Sequence, residues 1–382
     1  MRHRHTKKRD KAHLPSRSRG IEVGSRAVSE LRGVKIVGAG LIGTSIGLAL
    51  RRHDIPVWLE DNSSTNLRLA IEYGAGGEAI DGEPDLVVVC LPPDKTAGQL
   101  AFEIEAHPNA VVTDVASVKG SILEELKKLS TDTGRYVGGH PMAGRERGGA
   151  IAAQADLFFS RPWVICAEED NSDALYKVRS LVRLVGATPI ELSFEQHDRA
   201  VALTSHLPQL LSSILASELL DQDQQDIELS GQGLRDMTRI ASSNPELWTQ
   251  ILAKNSQSLA PFVRSVADRL NDAAEQIESL ASGGGLKGVY QLLTEGNDGA
   301  ARIPGKHGGK NRGYQTVVVM VDDKPGELGR LLNEIGSIGV NIEDLRLEHS
   351  PGAQIGLAEL DVLPESFEKL VAELTELGWR LA

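Results

Sequence analysis

Residues 34–51 read VKIVGAGLIGTSIGLALR: a short apolar run, glycines at 38, 40 and 43, then a helical pattern without a break. Few folds accept that order. A strand that yields at once to a helix through G-x-G-x-x-G is the opening crossover of a doubly wound sheet. Gly38 permits the tight turn, Gly40 lets backbone amides approach a pyrophosphate, and Gly43 allows the helix to pack closely on the strand. The positive end of the helix then faces the phosphates. Up to about Leu192 the apolar runs PVWLE, DLVVVCLP, AVVTDV, YVGG and WVICAE alternate with helical patterns, which predicts a parallel sheet with crossover helices.

Asp61 closes the second of these strands about 20 residues after the glycine loop, where a carboxylate accepts hydrogen bonds from the adenosine ribose hydroxyls. That choice favours NAD. A ribose phosphate would be repelled there, and Asn62, Ser63 and Ser64 supply no cation, although Arg68 lies near enough to keep NADP as the alternative. The cofactor-binding set expected is Gly38, Ala39, Gly40, Leu41, Ile42, Gly43, Asp61, Leu91 and Pro92.

From Phe194 strand signals vanish and long helical patterns take over to about Leu293; NDGAARIPGKHGGKNRG then reads as an exposed linker. Beyond it the patterns run strand, helix, strand, strand, helix, strand, the order of a ferredoxin-like sandwich. The expected organisation is a basic tail over 1–30, a dinucleotide-binding Rossmann-like domain over 31–193, a helical domain over 194–296, a linker over 297–313 and the βαββαβ domain over 314–382. The 382 residues are ample for this division.

Residues 1–19 hold eight Lys/Arg against Asp10, so the rest of the chain is more acidic than the overall charge of −12. Such a body is a poor partner for nucleic acid, whose binding rests on phosphate neutralisation. The basic start lacks the apolar core of a secretory signal, and no later run approaches a membrane span, so a cytoplasmic protein is expected. Cys90 and Cys166 sit in apolar strand runs and read as buried thiols, with no metal site.

TDVASVKG (113–120) and GGHPMAGRERGG (138–149) follow the fourth and fifth strands and therefore fall at the carboxyl edge, where doubly wound folds bind ligands. Ser117, Lys119 and His140 are expected to face the nicotinamide end. A histidine flanked by Gly and Pro at that edge suits acid–base work better than one on an apolar helix face. In the helical region His206 lies in TSHLPQLL, and Arg235, Asp236 and Arg239 fall within about one helical turn. An arginine there fits an anionic substrate through charge-assisted hydrogen bonds.

Together GAGLIG, TDVASVKG, GGHPMAGRERGG, SHLPQLL and GLRDMTRIASSNPELW, in this order from Val34 to Leu293, resemble the prephenate/arogenate dehydrogenase family of tyrosine biosynthesis. The resemblance implies a homodimeric, NAD-dependent oxidoreductase that decarboxylates prephenate, with arogenate as the alternative substrate. By the same resemblance His140 takes the proton of the substrate's C4 hydroxyl, Ser117 orients it, Arg239 holds a carboxylate, and His206, Asp236 and Trp248 shape the pocket. VDDKPGELGRL resembles the start of an ACT domain, which implies an effector, most simply tyrosine, near Asp322, Lys324, Pro325, Gly326, Glu327 and Leu328.

The pattern is departed from at Thr44, Arg145 and Gln232. Arg145 disfavours the ammonium of arogenate, Glu146 beside it acts in the opposite sense, and both are expected to face the substrate with Gln232. A β-hydroxyacid dehydrogenase would place Asn one turn after a catalytic Lys, but Asn255 follows Lys254 directly. A non-catalytic NAD and amino-acid sensor is the reading from a different class, and Ser117, His140 and Arg239 together argue against it.

Overall fold

A computed structural model describes residues 31–382 except 80, 145–147, 169–170, 282, 305–312 and 350–354. Arg145, Glu146 and the basic tail therefore lie outside the described residues. The chain divides into two compact units, one comprising residues up to 217 with 240–262, the other 218–239 with 263–382.

The first unit runs β1 (Val34–Val37), α1 (Leu41–Arg51), β2 (Val57–Glu60), α2 (Ser64–Glu72), β3 (Leu86–Val89), α3 (Pro93–Ala106), β4 (Val111–Asp114), α4 (Gly120–Lys128), β5 (Tyr136–Pro141), β6 (Pro162–Cys166), α5 (Ser172–Leu184) and β7 (Thr188–Glu191). Its sheet has the order β2-β1-β3-β4-β5-β6-β7. Alternate residues of each strand enter different layers: Leu86 and Val88 join the core under α1, α2 and α5, whereas Val87 and Val89 join the core under α3 and α4. Lys35 breaks the apolar run of β1, yet it is buried, because Glu103 at 2.9 Å and Glu60 at 3.0 Å flank its ammonium.

The sheet departs from all-parallel pairing at one point. β5 and β6 are antiparallel, His140 lying opposite Val164. Among the described residues between them, the chain forms only a short 3-10 turn, Ala150–Ala152. Without a crossover helix to carry it back across the sheet, the chain returns in the opposite direction.

Then come α6 (Phe194–Val201), a π-helical turn over Ala202–His206, and α7 (Leu207–Ser217). Pro208 explains the widened turn: it has no amide hydrogen and its ring displaces the carbonyl one turn earlier. α8 (Gln224–Ile227) and α9 (Gln232–Thr238) belong to the second unit, α10 (Pro245–Lys254) to the first. The helical region foreseen as one domain is thus shared between the units. α11 (Ser256–Leu280) and α12 (Leu286–Ala300) follow, so the segment expected as linker begins as the last turn of α12.

The C-terminal part is β8 (Gln315–Asp322), α13 (Glu327–Ile338), β9 (Asp344–His349), β10 (Ile355–Val362), α14 (Pro364–Glu376) and β11 (Arg380–Leu381). Its antiparallel sheet has the order β11-β8-β10-β9, the ferredoxin-like arrangement expected. Val317, Val319 and Val321 of β8 and Leu370 and Leu374 of α14 build its core.

Candidate active site

The strand order reverses between β1 and β3, so the carboxyl ends of these strands frame the crevice where such sheets receive ligands. The glycine loop leaves β1 at this point. Gly38 has φ +106°, and a Cβ there would lie 2.4 Å from the Cys90 carbonyl oxygen. A Cβ on Gly43 would stand 1.9 Å from the Gly38 carbonyl oxygen, so only glycine lets α1 start so close to β1. Gly40 differs, since its missing side chain opens onto free space. The first turn of α1 has neither a side-chain cap nor an acidic residue, which leaves its amides for an anion. Thr44, the departure from the small-residue pattern, is buried and donates to the Ala39 carbonyl at 3.0 Å.

Asp61 is anchored by amides: Oδ2 accepts from Ala39 N at 2.6 Å and Oδ1 from Ser63 N at 2.7 Å. The carboxylate is thereby fixed at the end of β2 beside the glycine loop. Open space at Gly40, free helix amides and an anchored acceptor fit a dinucleotide with an unmodified adenosine ribose. Leu91 and Pro92 follow β3 at the same edge.

His140 is the penultimate residue of β5, at this carboxyl edge. Its strand runs through two glycines because the packing forbids a side chain: a Cβ at Gly139 would meet the Asp114 carbonyl oxygen at 2.5 Å, and one at Gly138 would meet Lys119 Cδ at 3.0 Å. Burial, together with His197 and Lys119 nearby, holds the His140 imidazole well below the usual histidine range. His140 Nδ1 lies 2.8 Å from His197 Nε2, and His197 Nδ1 lies 2.8 Å from Asp198 Oδ1. Asp198 in turn accepts from the amides of Lys119 at 2.9 Å and Gly120 at 2.8 Å, at the start of α4. Burial alone would raise the Asp198 carboxyl, but the bonds from His197 and these amides outweigh it and hold it below its ordinary value.

His206, on the π-helical turn, is also fully buried, and burial pulls it down to about 4 against a partial upward pull from Asp198. Asn255 Nδ2 donates to the Asp198 carbonyl at 2.8 Å, which fixes the amide's orientation and makes its contact with His206 Nδ1 at 3.1 Å a second donation. The neutral ring must then carry its hydrogen on Nε2, which is buried and has no hydrogen-bond partner among the described residues. Trp248 packs edge-on against this ring, 6.1 Å between centroids. Asn255 ends α10, and Lys254 before it pairs with Glu125 on α4.

Other expected residues are placed differently. Lys119 does not face the crevice: it is fully buried and its ammonium bonds Asp114, which also accepts from the Tyr136 hydroxyl at 2.9 Å. The strand-like VASVK sequence gave no sign that a buried carboxylate five residues earlier would draw the side chain inward. Ser117 is half-buried in the β4–α4 loop and makes no hydrogen bond to His140, which is held by His197 instead. Gln232 Nε2 donates to Asp236 Oδ1 at 2.8 Å, while Arg235 and Arg239 are exposed, all four at α9 or its end in the second unit. His197, Asp198 and Asn255 were not anticipated.

A doubly wound sheet with this loop, this carboxylate and a buried histidine at its carboxyl edge defines a nicotinamide-dependent dehydrogenase. The family model "Prephenate dehydrogenase, nucleotide-binding domain" matches residues 46–191, and "Prephenate dehydrogenase, dimerization domain" matches residues 193–285. A protein of Streptomyces niveus described as a probable prephenate dehydrogenase is 33% identical, over 91% of this chain and 99% of its own. The crystal structure of Aquifex aeolicus prephenate dehydrogenase in complex with hydroxyphenyl propionate and NAD+ superposes with TM-score 0.63, 26% identity, and coverage of 71% of this chain and 98% of that one. Synechocystis arogenate dehydrogenase gives TM-score 0.59 and 28% identity over 70% of this chain and 98% of its own. The chain belongs to the prephenate dehydrogenase family, whose members are NAD-dependent oxidoreductases.

Proposed function

We propose that this chain, as a cytoplasmic homodimer, oxidises and decarboxylates prephenate to 4-hydroxyphenylpyruvate, carbon dioxide and NADH on the route to tyrosine. The observation that carries the reading is His140: a neutral imidazole at the carboxyl end of β5, on the edge that bears the glycine loop. NAD, held by the loop 38–43 and Asp61, supplies the acceptor for the hydride leaving C4. His140 withdraws the C4 hydroxyl proton, which builds carbonyl character at C4 and drives that departure. Loss of the ring carboxylate restores aromaticity and makes the reaction irreversible. His206 Nε2–H is a buried donor with no acceptor among the described residues, and a substrate oxygen satisfies it. From the family resemblance, Arg239 is assigned to a substrate carboxylate, and Asp236, Gln232, Ser117 and Trp248 to the substrate's recognition.

Arogenate is the second reading, favoured by the likeness to the Synechocystis enzyme; the pair expected to discriminate, Arg145 and Glu146, lies outside the described residues. Steady-state NADH formation from prephenate and from arogenate, each with NAD and with NADP, tests the assignment. Rapid turnover of prephenate with NAD is expected. Preference for arogenate would keep the chemistry and change the substrate, and turnover of neither would leave a sensor.

We further propose that the βαββαβ domain is an ACT domain that binds an aromatic amino acid, most simply tyrosine. A cleft of about 750 Å³ beside β8 is lined by Asp322, Lys324 and Glu327 of the expected set and also by Arg330, Trp379 and Arg380. Both charges of an amino acid find opposites there. Gly326, at φ +93°, turns the chain into α13, with Pro325 before it and Leu328 after it. Calorimetry of tyrosine binding to the intact protein tests this, and absence of binding by any aromatic amino acid would reject it.

A further inference from the structure

A base needs a bare ring nitrogen, and the hydrogen bonds around His140 decide which of its two nitrogens that is. Asp198 is the fixed end of the chain. Its Oδ2 accepts from Gly120 N, and its Oδ1 accepts from Lys119 N and faces His197 Nδ1 at 2.8 Å. An ionised carboxylate can only accept, so His197 carries its hydrogen on Nδ1. Burial keeps His197 neutral, and its Nε2 therefore presents a lone pair to His140 Nδ1, 2.8 Å away. Two lone pairs at that distance repel, so His140 must donate through Nδ1–H. Its own ring is neutral, which leaves Nε2 bare, and Nε2 has no hydrogen-bond partner among the described residues.

We propose that His197 and Asp198 are positioning residues that hold His140 in its Nδ1–H tautomer, so that Nε2 is a proton acceptor before any substrate arrives. The proposal rests on His140 being the base of the dehydrogenase reaction. In the transfer the hydroxyl O–H bond breaks and an Nε2–H bond forms, and the imidazolium charge so created faces neutral His197 and, through it, the Asp198 carboxylate. The backbone amides at the start of α4 fix Asp198, so the tautomer is set ultimately by a helix end rather than by another mobile side chain. Among the described residues, the neighbouring titratable groups Lys119, Asp114, Tyr136 and His206 are engaged elsewhere: Lys119 and Tyr136 on Asp114, His206 on Asn255.

The test is nitrogen-15 NMR of histidine-labelled full-length protein, in which two-bond couplings tell a protonated ring nitrogen from a bare one. The His140 signals are assigned by their loss in His140→Asn. The expected spectrum shows His140 protonated at Nδ1 and bare at Nε2; protonation at Nε2 in the unmodified protein would overturn the proposal. In His197→Phe, which keeps a ring but removes the acceptor, the Nε2–H form should appear and kcat should fall by at least about tenfold, with KM and NAD affinity within about twofold of the parent. A wild-type kcat in that variant would also overturn it. A merely structural role for His197 would lower the melting temperature and leave the tautomer alone. Because the spectrum needs no substrate, the predicted tautomer in a protein that turns over neither prephenate nor arogenate would reject the function and leave the positioning intact.

Discussion

At the residue scale, binding and chemistry fall on different side chains. His140→Asn removes the acceptor nitrogen without touching the glycine loop, so kcat should drop by about 10²–10⁴ while NAD affinity measured by fluorescence stays put. Arg239→Ala should instead raise the substrate KM with a smaller effect on kcat. Equal loss of NAD binding in both variants would indicate misfolding and reject the division of roles. Buried histidines also make stability depend on pH. His206 falls from 6.5 to about 4 on folding, and His140 and His197 shift in the same direction. Within that window the unfolded chain binds more protons than the folded one, so stability is complete above about 6.5 and declines as pH falls toward about 4. Urea midpoints taken across the window should fall accordingly, and less steeply for His206→Gln; identical slopes would mean that His206 is not neutral in the fold.

At the scale of elements, the glycine loop separates structural from ligand-facing glycines. Gly43→Ala drives a Cβ to within 1.9 Å of the Gly38 carbonyl oxygen and should lower both the melting temperature and NAD affinity. Gly40→Ala meets nothing within 4 Å and its φ of −79° suits alanine, so the melting point should move by no more than about 2 °C while NAD binding weakens about tenfold or more. Wild-type NAD affinity in Gly40→Ala would argue that the pyrophosphate lies elsewhere. The strand–loop–helix grammar behind this pair was legible because it is local, each glycine answering to neighbours a few residues away. The support of His140 was not, since His197 lies 57 residues further on and the two meet only when α6 packs on the sheet. A signal was nevertheless present: Phe194, His197, Asp198 and Val201 fall at i, i+3, i+4 and i+7 and all are buried, so two ionisable residues occupy the apolar stripe of α6. The antiparallel β5–β6 pair was hidden for another reason. Both strands had the right composition, and only the absence of a crossover helix among the described residues between Pro141 and Pro162 marks the reversal.

At the scale of the whole molecule, the helical region leaves apolar surface that a lone chain has no use for. On α12 Leu286, Tyr290 and Leu293 follow at i, i+4 and i+7, exposed by 73%, 72% and 65%, and on α11 Leu270 and Ile277 lie two turns apart and exposed. Such spacing puts the three α12 side chains on one stripe of the helix, the usual mark of a face that packs against another element. Isolated exposed leucines need no explanation, whereas a row of them calls for a partner. The region matched as a dimerization domain ends at residue 285, immediately before α12. A second copy of this chain is therefore the expected occupant, and a twofold contact would bring identical stripes together without leaving either exposed. Leu293→Asp places a carboxylate within the stripe while leaving the buried cores of both units untouched. In light scattering coupled to gel filtration the parent should run as a dimer and the variant should shift toward monomer as it is diluted, with its circular dichroism unchanged. A variant that stays dimeric at every dilution would move the interface away from α12, and a parent that is monomeric throughout would leave the stripe for a different partner.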